Sequence, residues 1–439
     1  MKKKPIHGIN VMVINMSLET MYQEALSYLG LNVTEKNVSK AIKLLETLAI
    51  NEYADSFYHL GRSYAIGEGN QMDVVKAKAL YETGMSLGSL KCFYGYALLH
   101  KTGYGVLQDE RLAKDYFEAG FEGLKAEAEQ GDPVSLYILG SYYYHGFYVK
   151  KYVATAITYL EKSANLGYAE AQFLLGSIYE AVNHDVDKRK ETFDYYSQAA
   201  LQGHAYAQYA LALLYIESDV IQSDFKEAKK WLEASAKQHH YLALHTLGLM
   251  LYEGEFGKKD YELAFTYLKE AADLGYAESQ YYVGLMYKNG LGIDKNPDEA
   301  VSYLTLAANQ NDMNAQYNLG IMYFQFKGKA YFDKAFYWLN KASNQKHPYA
   351  QYNLGVMYQN GDFVKQDYEK ASVLYRQAAE KDVLGAMYNL GMLYMKGMGV
   401  TKSEKTAVHY WEKAAKLGHE PSKMYLESVK TFHQKKGDL

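Results

Sequence analysis

Along most of the chain, small and apolar residues recur four and five positions apart and an aromatic residue follows three further on, as in Ala171, Leu175, Gly176 and Tyr179. A period close to four lines these positions along one helix face, so each block predicts an amphipathic helix, here helix A. A second block follows, typified by Ala264, Leu268, Ala271 and Ala272, and predicts a helix B. Between the two lies a loop that often contains glycine: GEG at 67, GYG at 103, GLG at 290 and GMG at 397. Helix B opens on Asp73, Asp109, Asp224, Asp260, Asn296, Asp367 or Ser403 in seven of ten units. Each side chain can accept from backbone N–H groups that the first helical turn leaves unpaired. Pro297 sits where proline costs a helix least, and Gly275 ends its helix by tolerating a left-handed turn. The glycine of helix A leaves room for a neighbouring helix backbone to approach.

These blocks repeat in constant phase. The small residue that opens the helix A stripe falls at Ser56, Cys92, Ser135, Ala171, Ala207, Ala243, Ser279, Ala315, Ala350, Ala386 and Ser422, at spacings of 36, 43, 36, 36, 36, 36, 36, 35, 36 and 36. Chance does not hold such a phase. The long unit carries EGLKAEAEQGD near residues 122 to 132; its seven extra residues are about two helical turns, so the apolar face keeps its direction. A pair of short helices buries too little to fold alone, whereas stacked pairs share a continuous core. The fold class expected is therefore all-α: a right-handed α/α superhelical solenoid of about ten 36-residue helix-turn-helix repeats with capping helices. Residues 1–17 form an N-terminal tail, 18–55 a degenerate capping pair with Ala41, Leu45 and Ala49 on its second helix, 56–421 the repeats, and 422–439 a C-terminal capping helix and tail.

The consensus A-x-Y-x-L-G-x-x-Y-x-x-G-x-G, then D-x-x-K-A-x-x-[WY]-L-x-x-A-A-x-x-G, resembles the Sel-one-like repeat family, relatives of the tetratricopeptide repeats; residues 386 to 418 follow it almost letter for letter. Departures are His239, Asn311, Lys346 and Asp382 at the terminal glycine of helix B, and Tyr96-Ala97 and Leu211-Ala212 in place of Leu-Gly. They bear on local turn shape. The resemblance implies a protein-protein interaction scaffold or adaptor: bacterial members of that family serve in signalling, in host interaction or as immunity proteins that neutralise a toxin.

Composition narrows the function classes. A net charge of -4 offers no basic field for a nucleic-acid backbone. No stretch approaches the roughly 20 apolar residues of a membrane span. The single cysteine, Cys92, replaces a small anchor residue, reads as buried filler, and suits a cytoplasmic protein. The N-terminal INVMVINM is short, holds two asparagines and lacks a small-residue cleavage site, so a cleaved signal peptide is not expected. The glycine loops follow a helix rather than a strand and lack the Lys-Ser/Thr ending of a phosphate loop. His239, His240 and His245 have no second metal motif and are expected at the surface or in a groove. No catalytic residue, metal or cofactor is expected.

The candidate site is the concave groove lined by helix A. Three residues before its glycine, nine of ten units carry an aromatic: Tyr58, Tyr94, Tyr137, Phe173, Tyr209, Tyr281, Tyr317, Tyr352 and Tyr388, with His245 in the remaining unit. Such a row either packs each helix A on the next or presents its edges to a ligand. Two residues before the glycine stand Asn318, Asn353 and Asn389, preceded by Tyr282. Asparagine weakens a helix unless its amide is used, and one amide offers both donor and acceptor, so such a row could hold the main chain of an extended peptide. The alternative is that each asparagine bonds a neighbouring helix. The 46 tyrosines, densest in SYYYHGFYVKKY at 141 to 152 with Tyr143 as its core member, suit a protein interface. The partner-binding set is thus Tyr281, Tyr282, Tyr317, Asn318, Tyr352, Asn353, Tyr388, Asn389, His245 and Tyr252, for a protein or extended peptide. A second reading makes His245, Tyr252 and Tyr282 part of a small-molecule or enzyme site.

Overall fold

The computed structural model describes residues 10–29, 37–67, 72–182, 186–217, 223–326 and 329–437. Every regular element among them is helical. The chain divides into two compact units, Met1–Leu247 and Gly248–Leu439.

The first unit opens with the pair α1 (Asn10–Tyr28) and α2 (Val38–Ile50), followed by α3 (Ser56–Ile66) and α4 (Val74–Ser86), then α5 (Leu90–Thr102) and α6 (Glu110–Glu129). Next come α7 (Pro133–His145) with α8 (Val153–Asn165), α9 (Ala169–Val182) with α10 (Val186–Leu201), and α11 (Ala205–Glu217) with α12 (Phe225–Ala236). Helix α13 (Tyr241–Glu253) carries the boundary between units. The second unit continues with α14 (Tyr261–Asp273), α15 (Ala277–Asn289), α16 (Pro297–Asn309), α17 (Met313–Phe326), α18 (Phe332–Asn344), α19 (Pro348–Asn360), α20 (Tyr368–Ala379), α21 (Leu384–Lys396), α22 (Glu404–Lys416) and α23 (Glu420–Gly437). Within each unit a helix packs on its hairpin partner and on the next hairpin. This is an all-α solenoid of helical hairpins. The expected 17-residue tail is shorter, because α1 starts at Asn10.

The local signals work as their chemistry requires. All seven cap residues accept from a backbone N–H in the first turn of their helices, from Asp73 at Lys76 to Ser403 at Thr406. His239, Asn311, Lys346 and Asp382, which replace the terminal glycine of helix B, take φ values of 58°, 70°, 66° and 59°. The turn survives without glycine and carries the strain instead.

The helix A glycine lets the backbone of helix B of the same hairpin approach, as expected, the Leu268 nitrogen lying 3.1 Å from where a Cβ on Gly248 would stand, and a helix B side chain fills the space nearer still. A Cβ on Gly284 would lie 2.7 Å from Leu304 Cγ, and one on Gly355 would lie 2.7 Å from the Tyr375 ring. Tyr375 therefore slides under helix A, fully buried, and its hydroxyl emerges on the far side to donate to Gln359 Oε1 at 3.1 Å.

Candidate protein-binding face

The aromatic row of helix A is sealed only at its N-terminal end. There Tyr58 and Tyr94 are buried. Tyr94 stacks on Tyr142 at 5.9 Å, and Tyr137 meets Tyr168 edge-on at 5.4 Å. The N-terminal helix closes what remains: Tyr22 on α1 shares a 3.1 Å hydrogen bond with His59 Nε2, and Leu26 and Leu29 join His59, Arg62, Val134 and Glu170 around a cavity of about 10 Å³, room for a single water. Arg62 on α3 pairs with Glu170 on α9 at 2.8 Å. Here the row is core at Tyr58 and Tyr94, whereas Tyr137, Phe173 and Tyr209 are half-buried.

In the second unit Tyr252, Tyr281, Tyr282, Tyr317, Tyr352 and Tyr388 are all half-buried. Tyr282 meets Tyr252 and Tyr281 edge-on, at 5.6 and 5.4 Å. Tyr317 stacks on His347 at 4.4 Å, Tyr352 lies 6.0 Å from Tyr375, and Tyr388 packs near His419 and Tyr425 at 5.5 and 5.8 Å. Each ring is thus held by its own or the following repeat and keeps a free edge. Burial, with the charge of Tyr282 next, pushes the Tyr281 phenol up to about 12, so it stays a neutral hydrogen-bonding group at physiological pH.

The asparagines are partly spent inside the fold. Asn318 Nδ2 donates to the Asn314 carbonyl at 3.0 Å while its Oδ1 accepts from Lys288 Nζ, also at 3.0 Å, on the preceding helix A. Asn353 Nδ2 donates to the Tyr349 carbonyl at 2.8 Å. Asn389 lies beside the Tyr375 hydroxyl and favours its charged form. The Oδ1 atoms of Asn353 and Asn389 take no donor among the described residues. The row therefore offers acceptors at two of its three amides; the Asn318 and Asn353 donors turn back to their own helices, and the bond to a neighbouring helix weighed from sequence is the one Asn318 accepts from Lys288. Lys288 and Tyr375 were not singled out in the sequence; the signal was there, since each lies one helix back, Lys288 30 residues before Asn318.

Other sequence candidates fall elsewhere. His245, only 6% exposed, is buried in the first unit and is closed to a partner, because its helix position faces the packed interior. His240 is also buried rather than superficial: its Nδ1 accepts from the Ala243 N–H at 3.4 Å as a helix cap, and burial lowers its pKa to about 4. Among the described residues no group of three potential His, Cys, Asp or Glu ligands could hold a metal. Cys92 is buried and its thiol is pushed up to about 12, chiefly by that burial, so it is inert filler. In SYYYHGFYVKKY the core member is Tyr142, whose hydroxyl donates to the Phe117 carbonyl at 2.9 Å, and not Tyr143, which is half-buried over Tyr159. No described helix is long and apolar enough to cross a membrane.

Comparison with known proteins agrees with the repeat. The family pattern described as Sel1 repeat matches residues 21–51, 92–122, 133–168, 169–204, 205–240, 242–276, 277–312, 314–347, 348–383 and 385–419. It includes the N-terminal pair expected as a cap and passes over residues 52–91, which nevertheless fold as the hairpin of α3 and α4. Among solved structures, c5321, a protective antigen of uropathogenic Escherichia coli displaying an SLR fold, is similar at 25% identity and a TM-score of 0.63, over 97% of this chain and 90% of that one. A Sel1 repeat protein from Oxalobacter formigenes is similar at 29% identity and a TM-score of 0.53, over 70% and 89%. A search of curated proteins finds no match.

Proposed function

The chain belongs to the Sel1 repeat family, and from that premise we propose that it is a non-enzymatic scaffold or adaptor that binds a protein or an extended peptide on the helix A face of residues 248–439. One observation carries the choice of face. The same aromatic position that is sealed at Tyr58 and Tyr94 stays half-exposed in every repeat of the second unit, through Tyr281, Tyr317, Tyr352 and Tyr388. Rings held by their neighbours lose little freedom on binding, which is why tyrosine is favoured at interfaces. Tyr282 and Tyr252 extend the row, and Asn353 and Asn389 add open acceptors for main-chain N–H groups, with Asn318 fixing the ring beside it.

Adaptor work in signalling, host interaction or toxin neutralisation would all use such a surface. The second reading, a small-molecule or enzyme site around His245, Tyr252 and Tyr282, has less support because His245 is buried. The single buried cysteine fits a cytoplasmic setting.

The proposal is tested by capturing partners from the native host with the full chain and with the Tyr317→Ala/Tyr352→Ala variant, checking both by circular dichroism. Loss of two interface anchors is expected to weaken recovery of a specific partner by about 30-fold or more. A Tyr337→Ala control, on an exposed helix B position, should leave recovery unchanged. Equal recovery of the same partner by the double variant would remove the helix A face from consideration.

A further inference from the structure

The residue before the left-handed turn that ends helix B lies beside the residue that follows the anchor of helix A. The chain matches these two positions by chemistry. Gln172 is matched with Gln202, Gln208 with Gln238, Gln280 with Gln310 and Gln316 with Gln345, whereas Phe57 is matched with Leu87, Leu136 with Leu166 and Met387 with Leu417.

Gln202 donates to Gln172 alone, at 2.6 Å, and the other three glutamine pairs each form a clasp. Gln310 Nε2 donates to Gln280 Oε1 at 2.9 Å and to the Gly275 carbonyl at 3.0 Å. Gln345 Nε2 meets Gln316 Oε1 at 2.9 Å and the Asn311 carbonyl at 3.2 Å. In the first unit Gln238 Nε2 meets Gln208 Oε1 and the Gly203 carbonyl, both at 2.9 Å. The helix A glutamine in turn donates to the end of the preceding helix B: Gln208 to Ala200, Gln280 to Ala272 and Gln316 to Ala308. One planar carboxamide thus spends its two N–H groups on a fixed pair of neutral acceptors.

The hairpin of α5 and α6 breaks the rule with Phe93 against Gln130, and the hairpin of α19 and α20 breaks it the other way. Its helix A glutamine is present as Gln351, only 5% exposed, but the matching position holds Lys381, which is exposed. Gln351 Nε2 donates to Gln377 Oε1 at 3.2 Å, as Gln172 does to Gln198. Gln351 Oε1 and the Lys346 carbonyl are the counterparts of the clasp acceptors, and neither takes a donor among the described residues. Both residues line an open cleft of about 730 Å³ between α18 and α20, together with Asn340, Asn344 and Leu374. Asp367, a carboxylate of the cleft wall, is already paired with Lys370 at 3.4 Å.

We propose that this cleft is a vacant carboxamide socket that receives the side chain of a glutamine from a protein partner, its two N–H groups meeting Gln351 Oε1 and the Lys346 carbonyl as the chain's own glutamines do in other repeats. The socket lies between second helices of neighbouring hairpins and stands independently of the helix A face.

The test is saturation-transfer NMR of the full chain with N-acetylglutamine methylamide and, as control, its norleucine analogue. The glutamine probe should give contact signals on the wild type and the norleucine probe should not. Lys381→Gln should raise the thermal midpoint and cut the glutamine signal about tenfold, because the chain then fills its own socket. Gln351→Leu/Lys381→Leu, an apolar match like Phe57 with Leu87, should fold and take no probe. The proposal is overturned if the wild type gives no selective glutamine signal, if Lys381→Gln leaves that signal intact, or if Lys381→Gln fails to stabilise.

Discussion

Replacing Lys91 by alanine is expected to destabilise the first unit by about 2 to 3 kcal/mol, because it leaves three clustered, half-buried carboxylates without their buried cation. Lys91 is 3% exposed, and its Nζ lies 2.6 Å from Asp55, 3.0 Å from Glu127 and 3.5 Å from Asp132. Ser89 donates to Asp55 at 2.6 Å and Ser135 to Glu127 at 2.5 Å, so the carboxylates are locked in place as well. Burial by itself would lower the Lys91 pKa, but Asp55, Asp132 and Glu127 outweigh it and hold it above its ordinary value. Burial likewise pushes Asp55 up, and Lys91 reverses the sign. Glu127 belongs to the stretch that lengthens α6, so the long repeat delivers a partner to this knot that a regular one would not. Hydrogen exchange should show the loss confined to α3 through α7, since hairpins couple mainly to their neighbours. A change spread evenly over both units, or one under about 1 kcal/mol, would mean the pairs contribute little beyond surface ion pairs.

Acidification from pH 7 to pH 4 is expected to cost the first unit about 3 kcal/mol for each of His59 and His240. Burial, the largest cause in both, lowers each pKa from 6.5 to about 4. In the window between those values the unfolded chain binds a proton that the folded chain refuses. Stability is therefore full above the unfolded pKa near 6.5 and falls as pH drops toward the folded value. The geometry agrees. His59 is packed under Tyr22, and protonating His240 at Nδ1 would turn the acceptor of the Ala243 N–H into a donor. Urea midpoints followed across this range should decline with falling pH, and His59→Gln with His240→Asn should flatten the decline. A wild-type profile that is level down to pH 4.5 would contradict the buried neutral state.

Much of the fold was legible because it is local. A cap needs one side chain and three backbone N–H groups, and all seven caps from Asp73 to Ser403 form. The left-handed turn after helix B is set by helix packing on either side, so His239 and Lys346 adopt it where glycine was missing. The closure of the first unit was not legible. Tyr22 meets His59, 37 positions away, and Arg62 meets Glu170, 108 positions away, through the small rotations that accumulate from one hairpin to the next, which periodicity does not encode. A one-position error, Tyr143 for Tyr142, shows the same limit, since neighbours on a helix differ by about 100° and only packing decides which turns inward. For the candidate site, the aromatic and asparagine rows could be read, but Lys288 and Tyr375, which occupy part of the amide row, come from neighbouring elements.

The most direct test places the photo-crosslinker benzoylphenylalanine at Tyr282, Tyr352 or Tyr388 on the helix A face and, for comparison, at Tyr337 or Leu306 on exposed helix B positions, in the full chain within its native host. Crosslinking of one common polypeptide from the first three positions and not from the last two is the predicted result. Crosslinks to that polypeptide from Tyr337 or Leu306 alone would contradict it.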